Sequence, residues 1–173
     1  MVYSGNPELM ERPFTIQPIY NSHQKKILDL ILPIQQIEFS LSVTLEDQPD
    51  LLDIESYYHR TGGCFWGAEY EGELIGTIAL ITNGHNAGTI RKMFIKKEFR
   101  GKETGLAQCL LEVLINYCRG GGITDLYLGT IDVLRAAHRF YERNGFLRTN
   151  SEDMPAYFFR MRGENVYYRL HLS

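Results

Sequence analysis

Three features of the sequence predict an α+β fold with a mixed, mostly antiparallel central sheet flanked by helices. Alternating segments follow one another closely in the middle of the chain, one strongly amphipathic helix comes after them, and strand and helix then alternate to the C-terminus. That order indicates a mixed sheet rather than a regular βαβ array.

Phe14, Ile16 and Ile19 mark a first strand over Phe14–Tyr20, and Ser22 is placed to cap the helix after it. Ile27, Leu28, Ile31 and Leu32 recur at helical spacing until Pro33 kinks or ends that helix, ahead of a second turn reaching Glu38. Ser40–Pro49 reads as a polar connector, and Asp50 opens a short helix with Leu51, Ile54 and Tyr58 on its apolar face. Strands are then predicted over Cys64–Tyr70, over Glu73–Thr82 after a Glu71-Gly72 turn, and over Thr89–Ile95 after a loop NGHNAG. Leu106, Leu110, Leu111, Leu114, Ile115 and Cys118 form one apolar stripe, which makes a helix that the run Gly120–Gly122 stops. A short apolar strand follows over Ile123–Gly129. The next helix runs from about Val133 to Arg143 and ends at Asn144-Gly145, and Val166–Leu172 alternates as a final strand.

With 173 residues, 44% of them apolar and 23% charged, the chain reads as a single domain spanning 1–173, with residues 1–12 as a flexible N-terminal extension. A net charge of −3 supplies no global attraction to nucleic acid or to an anionic membrane, so neither is expected as a partner. The N-terminal residues contain no signal-peptide core and no stretch approaches the roughly 18 consecutive apolar residues that span a bilayer, so a cytoplasmic location is expected. Cys64, Cys109 and Cys118 are odd in number without C-x-x-C spacing, which points to neither a disulfide framework nor a metal site.

Chemistry concentrates around FRGKETGLA, where a strand ending near Ile95 meets the start of the strongest helix. Backbone N–H groups at a helix start lack intrahelical partners and carry the positive end of the dipole, so they suit a pyrophosphate. Between Thr89 and Lys102, the bases Arg91, Lys92, Lys96, Lys97, Arg100 and Lys102 face one acid, Glu98, in an otherwise acidic chain. An anionic ligand explains that concentration; a solvated strand edge carrying lysines is the competing explanation.

The segment Arg100, Gly101, Lys102, Glu103, Thr104, Gly105 resembles the acetyl-CoA segment of the Gcn5-related N-acetyltransferase (GNAT) superfamily, in which Arg or Gln is followed by two residues, Gly, one residue, and Gly or Ala. Glu103 stands at the first family glycine. A second block, AAHRFYERNGF, is similar to the family's N-x-x-A-x-x-x-Y-x-x-x-G-F: Ala137, Tyr141, Gly145 and Phe146 match, and Leu134 stands where asparagine is usual. The resemblance implies an acyl-CoA N-acyltransferase fold with its acetyl-CoA core over residues 89–146. It also implies acetyl-CoA as co-substrate, contacted by Met93, Phe94, Ile95, Arg100, Gly101, Lys102, Glu103, Thr104, Gly105, Leu106, Ala107, Ala137 and Tyr141.

It further implies direct transfer, in which the primary amine of a small molecule or peptide attacks the thioester and CoA leaves as a thiolate. Tyr141 is the expected acid for that thiolate. The N–H groups of Met93 and Ile95 are the expected donors to the pantetheine arm and the developing oxyanion. Glu38 is the first candidate base, with His138 and a water chain as alternatives. Two other functions fit the same sequence: a non-catalytic acyl-CoA-binding module, and an acetyltransferase acting on protein lysines or N-termini. A homodimer is one assembly open to such a chain.

Overall fold

The computed structural model describes residues 14–173, and the extension expected over residues 1–12 lies outside the described residues. Seven strands form one sheet in the order β1-β2-β3-β4-β5-β7-β6, comprising β1 (Thr15–Pro18), β2 (Cys64–Tyr70), β3 (Glu73–Gly84), β4 (Ala87–Ile95), β5 (Asp125–Thr130), β6 (Leu147–Thr149) and β7 (Val166–His171). Only β4 and β5 pair parallel; the other neighbours are antiparallel. The mixed, mostly antiparallel α+β architecture is therefore the one the sequence predicts.

Among the described residues, three α-helices cover the sheet: α1 (Gln24–Pro33), α2 (Leu106–Gly120) and α3 (Arg135–Arg143). On one face, Leu106, Leu110, Leu111 and Leu114 of α2 are fully buried with Ile75, Ile78 and Ile90 of the sheet. At about 1.5–3 kcal/mol per buried aliphatic side chain, this packing fixes the start of α2 against the end of β4. On the other face, Ile27 and Ile31 of α1 join Leu51, Ile54 and Tyr58 over Phe65 and Ala79.

Several local expectations change. Ser22 does not cap α1: a 3₁₀ turn over Asn21–His23 leads into the helix, and the Ser22 hydroxyl lies 3.4 Å from His23 Nδ1 instead. Pro33 ends α1, and the chain widens into a π turn over Ile34–Glu38, as a residue without an N–H donor favours. The Asp50 helix is two pieces, a 3₁₀ turn over Pro49–Leu52 and a π turn over Glu55–His59, although its expected apolar face is buried. The loop NGHNAG is mostly strand. His85 and Asn86 both take left-handed φ, 56° and 55°, which matches the twist of a two-residue hairpin and lets β3 and β4 run up to it. β6 has no counterpart in the sequence reading, being short and largely exposed.

One irregularity positions the site. In β4 the register with β3 shifts between Ala79↔Arg91 and Thr77↔Phe94, and Lys92 adopts a φ of 52° in the bulge. Thr77 Oγ1 donates to Lys92 O at 2.7 Å and holds the bulge in place. The extra residue cancels the usual alternation, so Arg91 and Lys92 both project to the α1 face.

Candidate active site

β4 and β5 are bonded only from Ala87↔Asp125 to Thr89↔Tyr127. Beyond that point each stays paired to its outer neighbour, β4 to β3 as far as Ile95 and β5 to β7 as far as Thr130. The result is a V-shaped opening with two rigid walls. Phe94 pairs with Thr77, and Lys96 N donates to Ile75 O at 2.8 Å, so alternation turns the N–H groups of Met93 and Ile95 toward the opening. The Phe94 side chain instead packs into the core on the α1 face.

The loop from Arg100 to Gly105 meets the opening at its wide end. Gly101 and Gly105 take φ of 107° and 63°, conformations that favour glycine. The Thr104 hydroxyl lies 2.6 Å from Phe99 O and 3.1 Å from Gly101 O, which closes the loop. Cys109 N donates to Gly105 O at 3.0 Å as the first bond of α2, so the amides of Leu106 and Ala107 have no acceptor within the helix. Lys102 and Glu103 are exposed. Glu103 is not among the residues at positive φ, so its backbone does not require the glycine usual there.

Tyr141 lies on α3 with its ring among Phe140, Phe146 and Tyr168, and its hydroxyl donates to Met93 Sδ at 3.6 Å. The phenol therefore points at the β4 wall. Burial pushes its pKa well above the ordinary value, with Tyr168 adding to the effect. Ala137 is half-buried one turn earlier against the same core. Leu134 is the N-cap residue of α3 and makes no side-chain cap. His138 Nε2 lies 2.8 Å from Ile131 O, so that ring nitrogen is engaged in holding the β5–α3 connection.

The basic concentration read from the sequence is divided by the fold. Lys96 pairs with Glu73, and Arg100 pairs through both terminal nitrogens with Glu38, with Nη2 to Oε1 at 2.7 Å. Arg100 Nε also donates to Ile95 O at 2.8 Å, and the guanidinium lies 5.9 Å from the Phe39 ring centroid. Arg100 thus ties the phosphate-type loop to the turn after α1, and its hydrogen bonds hold the Glu38 carboxyl below the ordinary range. A carboxylate so engaged is a poor proton acceptor until that pair opens.

Arg91 and Lys92 enter a buried polar cluster on the α1 face. Lys92 Nζ donates to Gln48 Oε1 at 2.6 Å and lies 3.7 Å from Asp50 Oδ2, which accepts from Tyr58 at 2.6 Å. Gln35 and Gln48 bond each other twice at 2.9 Å. Burial lowers the Lys92 pKa, and Asp50 pulls it back up. Removing Asp50 would leave the ammonium and the phenol of Tyr58 unmatched in the core. We therefore expect Asp50→Ala to lose about 3 kcal/mol of unfolding free energy in urea titration, and a loss below about 1 kcal/mol would contradict this role.

Glu164, absent from the sequence reading, lies beside this cluster. It precedes β7, and its carboxylate lies over Gly129 of β5, where a Cβ would collide with it. Burial raises its pKa, opposed first by a hydrogen bond from the Met161 backbone and then by the charges of Arg91, Arg160 and Lys92. No motif marks it, and only the tertiary course of residues 154–165 over β5 brings it to the opening. A surface groove of about 610 Å³ between α1 and the β2–β3 turn, with Lys26, Pro33 and Glu71 on its walls, reaches Glu38 and Lys96 at the Arg100 side of the site.

Comparison with known proteins agrees with this geometry. The model of the Acetyltransferase (GNAT) family matches residues 28–146. N-acetylaspartate synthetase of Danio rerio is 36% identical over 106 residues, covering 60% of this chain and 37% of the relative's length, and the human protein of that name is 33% identical over 106 residues, covering 60% and 34%. The chain thus spans little more than a third of these relatives. Among solved structures, an acetyltransferase of the GNAT family from Staphylococcus aureus Mu50 superposes with a TM-score of 0.89 at 34% identity, covering 92% of this chain and 99% of that one. An acetyltransferase from Streptococcus agalactiae 2603 gives 0.87 at 28% identity, covering 93% and 99%. A splayed β4–β5 pair, a glycine-shaped loop at the start of α2, and a family match across both place this chain in the GNAT family of acetyltransferases.

Proposed function

We propose that the protein transfers an acetyl group from acetyl-CoA to the primary amine of a small molecule or peptide by direct attack. The observation that carries this reading is the β4–β5 opening, which meets the first-turn amides of α2 on one side and a buried charged cluster on the other. The loop amides and Lys102 would hold the pyrophosphate. The N–H groups of Met93 and Ile95 would stabilise the oxyanion, and Tyr141 would protonate the departing thiolate. The names of the relatives, which include N-acetyltransferases and N-acetylaspartate synthetases, support the same chemistry. We also read the protein as cytoplasmic; no described helix is long and apolar enough to cross a membrane.

Calorimetric titration with acetyl-CoA tests the binding step. Gly105→Val forces a β-branched residue into a left-handed φ of 63° and should displace the loop amides. Affinity is expected to fall about tenfold or more, and equal affinity would put the pyrophosphate elsewhere. Thiol release with a panel of amines separates turnover from a non-catalytic acyl-CoA-binding module, and intact-protein mass analysis separates it from protein acetylation.

A further inference from the structure

Two opposite charges flank the opening without forming an ion pair. Arg91 is 9% exposed, and its Nη2 donates to Phe159 O at 3.1 Å with the guanidinium 5.4 Å from the Phe159 ring centroid, yet its Nε has no partner. Glu164 Oε2 is likewise buried without a partner. These are the two buried, unpartnered side-chain nitrogen or oxygen atoms among the described residues, and no ion pair within 4.0 Å joins their side chains. Their positions correspond: Thr89 is level with Tyr127, so Arg91 on β4 and Gly129 on β5, beneath Glu164, lie at the same height on the two walls.

The neighbouring cations already have hydrogen-bond partners. Lys92 is held by Asp50 and Gln48, and Arg160 bonds Ser151 and lies over the Tyr167 ring. One nitrogen of the Arg91 guanidinium and one oxygen of the Glu164 carboxylate are therefore left without a partner, on the two walls of the opening. Groups of this kind are normally satisfied by a partner, and a ligand is one such partner.

We infer that the acceptor is a free amino acid, its carboxylate paired with the Arg91 guanidinium and its ammonium group at Glu164. This rests on the N-acetyltransferase reading above. Glu164 takes one proton from the ammonium group. The freed lone pair forms the C–N bond to the thioester carbon, and the C–S bond breaks with its electrons on sulfur. Tyr141 protonates that sulfur, the nitrogen's remaining excess proton restores the phenol, and Glu164 releases its proton to solvent. A diamine would set a second positive charge against Arg91, and a peptide amine would bring no carboxylate to it, so neither satisfies both walls. Burial, which raises the Glu164 pKa, also makes its carboxylate a stronger proton acceptor.

The test compares each proteinogenic amino acid with its carboxamide, which keeps the amine and deletes the carboxylate. Two readouts are used: kcat/KM from thiol release, and calorimetric affinity for the CoA-saturated protein. The preferred free acid should exceed its carboxamide by about 100-fold, because a site built to bind a charged group rejects the analogue lacking it. Arg91→Gln should bring acid and carboxamide to within about threefold, Arg91→Lys should keep part of the preference, and acetyl-CoA affinity should be unchanged in both. A carboxamide equal to the acid in the unaltered protein, or a preference that survives Arg91→Gln, overturns the inference. If acetyl-CoA binds but no amine is acetylated, the transferase reading falls, and calorimetry still decides here: Arg91-dependent binding of the free acid supports the zwitterion site, and absence of that binding overturns it.

Discussion

Tyr141→Phe is expected to lower kcat by about 10²- to 10⁴-fold while leaving acetyl-CoA affinity and thermal stability unchanged. The ring does the packing, against Phe140, Phe146 and Tyr168, and phenylalanine keeps all of it. The hydroxyl gives the fold little, since its partner is the weak acceptor Met93 Sδ at 3.6 Å. A buried donor so poorly matched is tolerated where it has another use. Burial holds the phenol protonated at any working pH, so the proton to be donated is always present. Measuring kcat and affinity on one preparation decides the matter. Unchanged turnover would make Tyr141 a packing residue and leave the thiolate to water.

The fold was legible because its main signals are local. Alternation over Cys64–Tyr70 and the leucine stripe of α2 record burial directly, and both elements lie where that pattern puts them. The phosphate-type loop was legible for a related reason: a glycine at left-handed φ and a helix start are neighbours in sequence. The proposed acceptor side was not. Arg91 and Lys92 are adjacent, and alternation sends adjacent strand residues to opposite faces, so the sequence gives no sign that both project to one side. The bulge that turns both to the α1 face depends on Thr77 of another strand. Glu38 and Arg100 meet only because the turn after α1 folds back over the end of β4, and Glu164 arrives through a loop without periodicity. Nonlocal contacts of this kind leave no spacing to read.

Glu164→Gln should separate activity from stability in opposite directions. The substitution keeps the shape of the side chain over Gly129 and removes its charge and basicity, so kcat/KM with the best amine is expected to fall about 10²-fold or more if this carboxylate accepts the ammonium proton. In the unaltered protein, kcat/KM should decline on the acid side through a pKa above the ordinary carboxylate value. Burial sets that direction, while the Met161 backbone hydrogen bond, Arg91 and Lys92 on β4, and Arg160 on the loop oppose it. The variant should lack this limb. Stability follows the same linkage with the opposite sign. A carboxyl whose folded pKa is raised binds its proton more tightly in the native state, so its contribution is fully present below the unfolded value near 4.5 and is lost as pH rises through the folded value. At neutral pH the ionised group, with Oε2 buried and unpartnered, therefore weakens the fold. The glutamine variant should melt at an equal or higher temperature at pH 7, and that advantage should shrink on acidification toward pH 4. Turnover that survives the substitution with its acid limb intact would remove Glu164 from the reaction and return the search for the base to Glu38, whose pairing with Arg100 would then have to open during catalysis.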